Sequence, residues 1–238
     1  MEQKKVGRYL ILGILFFLPV TFLLMLYPAT HNYTPLDIVG EQVLDIDDFA
    51  SSSGEKTGLK DNITVLGFFG ANPLDNATAA SNLKELVYDK FKGFKKFQIV
   101  ILMPNGTEDV VEKLKAEISS YEDLKFWHFV FGEFEDLKKQ FNSLKSVKPL
   151  SSELSSNNVF IIDKDLNQRG RLDDRTDREI EKNKPMYGLY AYNCIEVAEI
   201  KNKMSEDMRI LFTEYRQKRK GEFNSEVRRA NDLNQNHE

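Results

Sequence analysis

The sequence predicts an α/β domain built on a parallel sheet and held behind one N-terminal transmembrane helix. Three observations carry this. Residues 9–27 (YLILGILFFLPVTFLLMLY) hold no charge and are almost wholly apolar. Beyond residue 60, continuous apolar runs alternate with amphipathic stretches, the pattern of buried strands covered by helices on both faces. The 238-residue chain is 41% hydrophobic, so enough apolar material remains beyond the anchor for one sizeable core.

The anchor follows from dimensions and charge. About 19 apolar residues at 1.5 Å rise roughly span a hydrocarbon core. Lys4, Lys5 and Arg8 precede the run, and no Lys or Arg follows until Lys56. That asymmetry sets residues 1–8 in the cytoplasm and the rest of the chain outside. Tyr9 and Tyr27 fall where interfacial aromatics belong, and Pro19 sits mid-helix, where a lipid-embedded helix tolerates it. A cleaved signal peptide is the alternative. Its apolar region is shorter, about 7–15 residues, and Tyr27 is too bulky two positions before Ala29 for a cut there. No Cys follows the run to take a lipid.

Residues 28–60 read as a tether. Pro28, Pro35, the acidic Asp45, Asp47 and Asp48 and the SSSGEK stretch lack a long periodic pattern; a short strand is expected at 42–44. The domain proper is expected over 61–215. Residues 62–69 (NITVLGFF) read as a buried strand. Asp75 or Asn76 can cap a helix over about 77–91, with Ala80, Leu83, Leu86, Val87 and Phe91 at helical spacing. Residues 97–103 (FQIVILM) form a second strand. Thr107 can cap a helix carrying Val110, Val111, Leu114 and Ile118. Residues 125–131 (KFWHFVF) form a third strand, and Phe134, Leu137, Phe141 and Leu144 stripe the helix after it. Residues 159–162 and 168–172 read as a hairpin, and 208–212 belong to a last helix. A βαβαβα unit closed by a hairpin and a helix is the thioredoxin-like order. The polar stretch 216–238 is expected to be a frayed helix and then disorder.

A net charge of −4 gives no reason to expect a nucleic-acid partner. The basic residues Arg216, Lys218, Arg219 and Lys220 read as a solvated helix end. Cys194 is the one cysteine, so neither an intramolecular disulfide, a CxxC redox pair nor a thiolate metal cage can form. Four glycosylation sequons occur, at Asn32, Asn62, Asn76 and Asn105; they matter only in a secretory pathway that reads them.

Several stretches, in order, carry a family resemblance. Residues 63–70 (ITVLGFFG), 125–132 (KFWHFVFG), the helix 134–144 and the NVFIID strand within 158–170 resemble the Sco/SenC family. These are membrane-tethered, thioredoxin-like copper proteins that help assemble cytochrome oxidase. The resemblance spans about 35–215 and implies a Sco-like fold. It also implies where copper ligands would sit: a Cys-x-x-x-Cys in the loop after the first strand and a His before the NVFIID strand. Here Leu74 and Thr78 stand near the cysteine positions, and 151–158 (SSELSSNN) holds no His. Soft-metal binding needs thiolate and imidazole, so no metal or cofactor is expected, and thiol–disulfide exchange lacks its cysteine.

Other chemistry-bearing residues are weighed against plainer roles. Cys194, within GLYAYNCIEV, reads as a small buried hydrophobe. His128 reads as a half-buried strand residue; His31 and His237 are too far away in sequence to share a ligand spacing with it. Asp163, Asp165, Asn167 and Asp174 fall at EF-hand-like positions, but Gln168 replaces the obligatory Gly, which favours a polar hairpin turn. No Ser/His/Asp order, H-E-x-x-H or phosphate-binding glycine loop occurs, so the chain is read as no enzyme. The stretch 175–203, with Met186, Tyr187, Tyr190, Tyr192 and Ile195, is either an interface or a strand packed on the core.

The resulting expectation is a non-catalytic, Sco-like binding protein of the inner (cytoplasmic) membrane, its domain in the periplasm. It would touch lipid through residues 9–27 and act as an assembly or accessory factor of a respiratory membrane complex such as cytochrome oxidase. An integral structural subunit of a respiratory supercomplex is the competing class, and an enzyme with an unrecognised site is the third. The expected partner-binding residues are Asn72, Leu74, Asp75, Ser155, Asn157, Tyr187 and Tyr190.

Overall fold

The computed structural model describes residues 2–26, 35–47, 49–51, 54, 56–119 and 123–221. Two compact units meet in sequence between Thr34 and Pro35. The first holds one helix, α1 (Glu2–Leu26), with Pro19 inside. Its side chains are described from Ile11 to Met25 and are largely exposed apolar groups, with Leu15 at 74% and Met25 at 81% exposure. The Thr21 hydroxyl donates back to Phe17 O at 2.9 Å, which keeps the one hydroxyl there satisfied within the helix. Among the described residues, no helix is long and apolar enough to cross a membrane. The described side chains alone cover roughly 22 Å at 1.5 Å per residue. Tyr27 and the tether residues 28–34 lie outside the described residues, as does 222–238 of the expected tail.

The second unit is an α/β domain. Its elements are β1 (Asp37–Gly40), β2 (Ala50–Ser51), β3 (Ile63–Phe68), α2 (Ala77–Leu83), α3 (Asp89–Phe91), β4 (Phe97–Pro104), α4 (Glu108–Ser119), β5 (Trp127–Gly132), α5 (Phe134–Asn142), β6 (Asn158–Ile162), β7 (Gln168–Gly170), α6 (Asp177–Glu181), β8 (Tyr192–Asn193) and α7 (Ser205–Lys220). The sheet order is β1-β7-β6-β3-β4-β5-β2, with β8 added to β6. Strands β3, β4 and β5 pair in parallel, whereas β6 runs antiparallel to β3 and β7 antiparallel to β6. A parallel βαβαβ core, an antiparallel hairpin beside its first strand and a closing helix make this a mixed α/β, thioredoxin-like fold.

Both faces of the sheet are buried, which is why its strands read as unbroken apolar runs. Successive side chains point to opposite faces. Val65, Ile99, Ile101, Phe129 and Ile161 join the cluster under α2, α4 and α7. Leu66, Phe68, Val100, Leu102, Val130 and Phe160 join the cluster under α5. On that side Phe68, Phe141 and Phe160 meet edge to face, with centroids 5.3–6.4 Å apart, the geometry the ring quadrupole favours.

Three expectations need correction. The tether does not run to residue 60, because Leu36, Val39, Val43, Ile46 and Leu59 are buried and β1 and β2 lie in the sheet. Asp45 organises this stretch: its carboxylate accepts from Leu59 N at 2.6 Å and Ile46 N at 2.8 Å. The early strand is at 37–40, paired with β7, and not at 42–44. Neither Asp75 nor Asn76 caps α2 through its side chain; Asn76 is buried and donates to Phe69 O at 2.9 Å. A turn of 3-10 helix (Pro73–Asn76) precedes α2 and a π turn (Lys84–Tyr88) joins it to α3. Thr107, just before α4, donates its hydroxyl to Pro104 O, and its carbonyl accepts from Val110 N and Val111 N of that helix.

Candidate functional site

The carboxyl ends of β3, β4 and β5 open onto one end of the domain, where α/β sheets place their ligand loops. Two loops cross there. Phe69 and Ser155 form an antiparallel bridge, Ala71 N donates to Glu153 O at 2.9 Å and Ser156 N to Phe68 O at 2.9 Å. Only glycine fits at the crossing: Gly70 has φ +65°, and a Cβ there would lie 2.3 Å from Glu153 O. The opposing loop carries Leu154 at φ +61°, buried to 2%, so the crossing is pinned from both sides.

This crossing brings together five of the expected site residues. Asn72 donates to Glu153 at 3.1 Å. Leu74 is 42% exposed and Asp75 stands beside it in the 3-10 turn, also exposed. Ser155 accepts at its hydroxyl from, or donates to, Ser151 at 2.9 Å; neither hydroxyl is bonded to a base. Asn157 is exposed and its carbonyl accepts from Cys194 N at 2.7 Å. That last bond brings in the turn after β8, which flanks the same end and exposes Ile195, named within the 175–203 stretch, and Val197, which the sequence reading missed, at 40% and 47%. Asn82 of α2 donates to Cys194 O at 2.8 Å and fixes the turn.

Tyr187 and Tyr190 pair elsewhere. The Tyr187 hydroxyl donates to Glu179 at 3.0 Å, within the excursion that carries α6. Tyr190 O accepts from Gln168 at 2.7 Å, and its ring lies 4.3 Å beneath the Lys145 ammonium, near the amino-end side of the sheet. The stretch 175–203 therefore splits. Tyr192 is core, whereas Met186 and Tyr187 are exposed.

The chemistry of this end is that of amides, hydroxyls and carboxylates. Segments 70–78, 104–109, 132–136, 151–158 and 193–199 contain no Lys or Arg, and carry Asp75, Glu108, Asp109, Glu133, Glu153 and Glu196 among their acids. Such donors do not fit Cu(I), which takes thiolate and imidazole. Cys194 is fully buried among apolar neighbours, and burial pushes its thiol well up, away from the reactive thiolate. His128 is half-buried in β5. Among the described residues, no group of three or more His, Cys, Asp or Glu is placed to hold a metal ion. The EF-hand-like spacing dissolves: Asp163 accepts from Asp165 N and Asn167 N at 2.9 Å and from Arg169 at 3.0 Å, while Asp174 pairs with Arg171 and Lys203.

The sequence reading also missed a buried charge network. Arg169, 2% exposed, bonds Asp163 at 3.0 Å, Glu214 at 2.5 Å and Leu36 O at 2.7 Å. Arg171 grips Asp207 through Nε and Nη2 at 2.8–3.1 Å, and the Tyr192 hydroxyl donates to the same carboxylate at 2.6 Å. Burial alone would push Arg171 down and Asp207 up. For Arg171 the bonds and charge of Asp207 outweigh burial and hold the guanidinium up, whereas for Asp207 burial outweighs the Arg171 and Tyr192 bonds and holds the carboxyl above the usual range. The network's alignment was readable: residues 169 and 171 share a strand face, and 207 and 214, two helical turns apart, share a helix face.

No family model matches the chain, and no curated protein matches it. Solved structures do. A SCO1/SenC family lipoprotein from Bacillus anthracis str. Ames is 16% identical, covering 74% of this chain and 96% of its own, with a TM-score of 0.47. Bradyrhizobium japonicum ScoI, solved with copper bound, is 13% identical over 73% of this chain and 100% of its own, with a TM-score of 0.43. A thiol:disulfide interchange protein from Bacteroides sp. is 18% identical over 54% and 77%, with a TM-score of 0.40. The chain thus resembles Sco/SenC proteins and their thioredoxin-like neighbours; the fold assignment itself rests on the strand order given above.

Proposed function

We propose that this chain is a non-catalytic, thioredoxin-like binding protein that helps a respiratory membrane complex, such as cytochrome oxidase, to assemble. One observation carries the reading: the rigid loop crossing at the carboxyl ends of β3–β5 carries neither thiol nor imidazole, yet presents exposed hydrogen-bonding groups around Leu74, Ile195 and Val197. Fixed loops lose little entropy on docking, so they suit recognition. The acidic character of this end favours a partner bearing Lys or Arg there. The respiratory assignment comes from the Sco/SenC resemblance in the sequence. Anchoring in the inner membrane through residues 9–27, with the domain in the periplasm, is supported by the exposed apolar side chains of α1 and the lack of Lys and Arg from 9 to 55.

The test is genetic and biochemical. Deleting the gene should lower assembled oxidase, and the wild-type chain should restore it. Asn72→Arg with Leu74→Arg should fail to restore it, while the purified variant melts within about 1 °C of wild type, since exposed-loop changes cost little. Oxidase that assembles fully without the chain sinks the proposal. Full restoration by the double variant, with loss on Tyr190→Ala, would move the interface to the α6 excursion.

A further inference from the structure

The opposite end of the sheet has the opposite charge. Three connections and the last helix gather there, and hydrogen bonds and ring contacts bind them into one surface. Asp61 N donates to Lys164 O at 3.0 Å and Ile63 N to Lys96 O at 2.7 Å, which joins the loop before β3 to the loop before β4 and to the β6–β7 turn. Phe94 stacks on Phe212 of α7, centroids 4.3 Å apart. The Lys164 ammonium lies 5.0 Å from the Tyr215 ring, and the Tyr215 hydroxyl donates to Asp165 at 3.2 Å. The pole so assembled presents Lys60, Lys95, Lys96, Arg216 and Arg219 as exposed cations. Beside them Phe94 is 46% exposed. Of the nearby acids, Asp163 and Glu214 are buried against Arg169 and Asp165 accepts from Tyr215, which leaves Asp61 exposed among more numerous cations.

The chain also joins the domain at this helix. Leu36 O accepts from Arg169, which also bonds Glu214 of α7, one turn before Lys218. Residues 27–34 can extend at most roughly 29 Å. If residues 9–27 are anchored as proposed above, on which this inference rests, a tether of that length lets the end of α7 beside Leu36 reach the headgroups.

From these we infer that the basic pole around Phe94 and the last turns of α7 docks on an anionic lipid surface. Cations at a negatively charged bilayer each gain about fivefold in binding, and screening by salt removes the gain. An exposed aromatic amid cations suits the headgroup layer. The acidic end then faces away from the membrane.

The test uses the full chain in nanodiscs, of phosphatidylcholine alone or with about 30% phosphatidylglycerol. Lysine acetylation is followed site by site by mass spectrometry. Lys60, Lys95 and Lys96 should react at least about threefold more slowly on the anionic discs, with Lys113 of α4 unchanged as control, and roughly 0.5 M salt should abolish the difference. Lys95→Gln with Arg216→Gln and Arg219→Gln, all at exposed positions, should abolish the protection of Lys60. Equal rates on both lipids overturn the docking alone. A chain that enters neither kind of disc overturns the anchor and the docking together.

Discussion

Replacing Arg169 by Met tests how the domain is locked. The side chain is 2% exposed and holds three acceptors at 2.5–3.0 Å: Glu214 of α7, Leu36 O and Asp163. Met fills similar volume and offers no donor. Asp163 keeps the backbone donors of Asp165 and Asn167, and Glu214 keeps Lys218 at 2.8 Å, so the carboxylates are not wholly stranded. Leu36 O loses the bond that Arg169 supplies. Removing one member of a buried ion cluster costs about 3–5 kcal/mol, because the remaining charges stay buried. For a domain of this size each kcal/mol moves Tm by about 2–4 °C, so the expected loss is roughly 6–20 °C. Calorimetry of the purified chain at neutral pH reads it. The variant combining Arg169→Met with Asp163→Asn and Glu214→Gln should regain most of the loss, since neutral groups are cheaper to bury than charges. A single-variant drop below about 2 °C would mean that the cluster is hydrated and that the buried-charge reasoning fails.

Two further outcomes follow from the same geometry. Glu179 accepts from Thr176, Lys184 and Tyr187, and its carboxyl is lowered to about 2, chiefly by the Thr176 backbone bond. A lowered acid stabilises above its unfolded value and loses that contribution as pH falls through the folded one, so the α6 excursion should open between about pH 4.5 and 2; amide exchange at residues 176–189 reads this, and exchange that is flat across that window contradicts it. Cys194 should resist a thiol reagent in the native chain and react at the global unfolding rate, because its thiol is buried and pushed up; fast reaction of the folded protein would refute the buried reading.

The sheet was legible because burial on both faces writes itself as unbroken apolar text, as in 63–68 and 97–103. The segment 35–60 was not, since Val43, Ile46 and Leu59 are isolated apolar residues in polar surroundings. What buries them is a side-chain-to-backbone bond, Asp45 to Leu59 N, which leaves no periodic trace. The meeting of 70–78 with 151–157 was foreseen through the family resemblance, because both loops sit at strand ends whose pairing the order of elements dictates. The distance between Tyr187 and that crossing was not foreseeable. The path of 172–190 is set by Arg171 bonding Asp174 and pairing with Leu189, and such contacts have no signature at fixed spacing.

The two ends of the domain are best understood together. A crossing that holds Gly70 and Leu154 in left-handed conformations carries a backbone cost of order 1–3 kcal/mol at the non-glycine residue, and the buried side chain of Leu154 offsets it. Such stiffness serves a surface that must keep its shape for a partner. With the basic pole on lipid, the height of that surface is set by the sheet. Strand β4 has eight residues, which at about 3.3 Å each spans roughly 26 Å. Asn72 and Leu74 would then stand at about that height above the headgroups. At such a distance they would address the extramembrane part of a neighbouring complex, and contact with its membrane-embedded helices would be left to residues 9–27. Crosslinks from position 72 should therefore fall on soluble domains of the partner, and crosslinks confined to its transmembrane helices would contradict the arrangement.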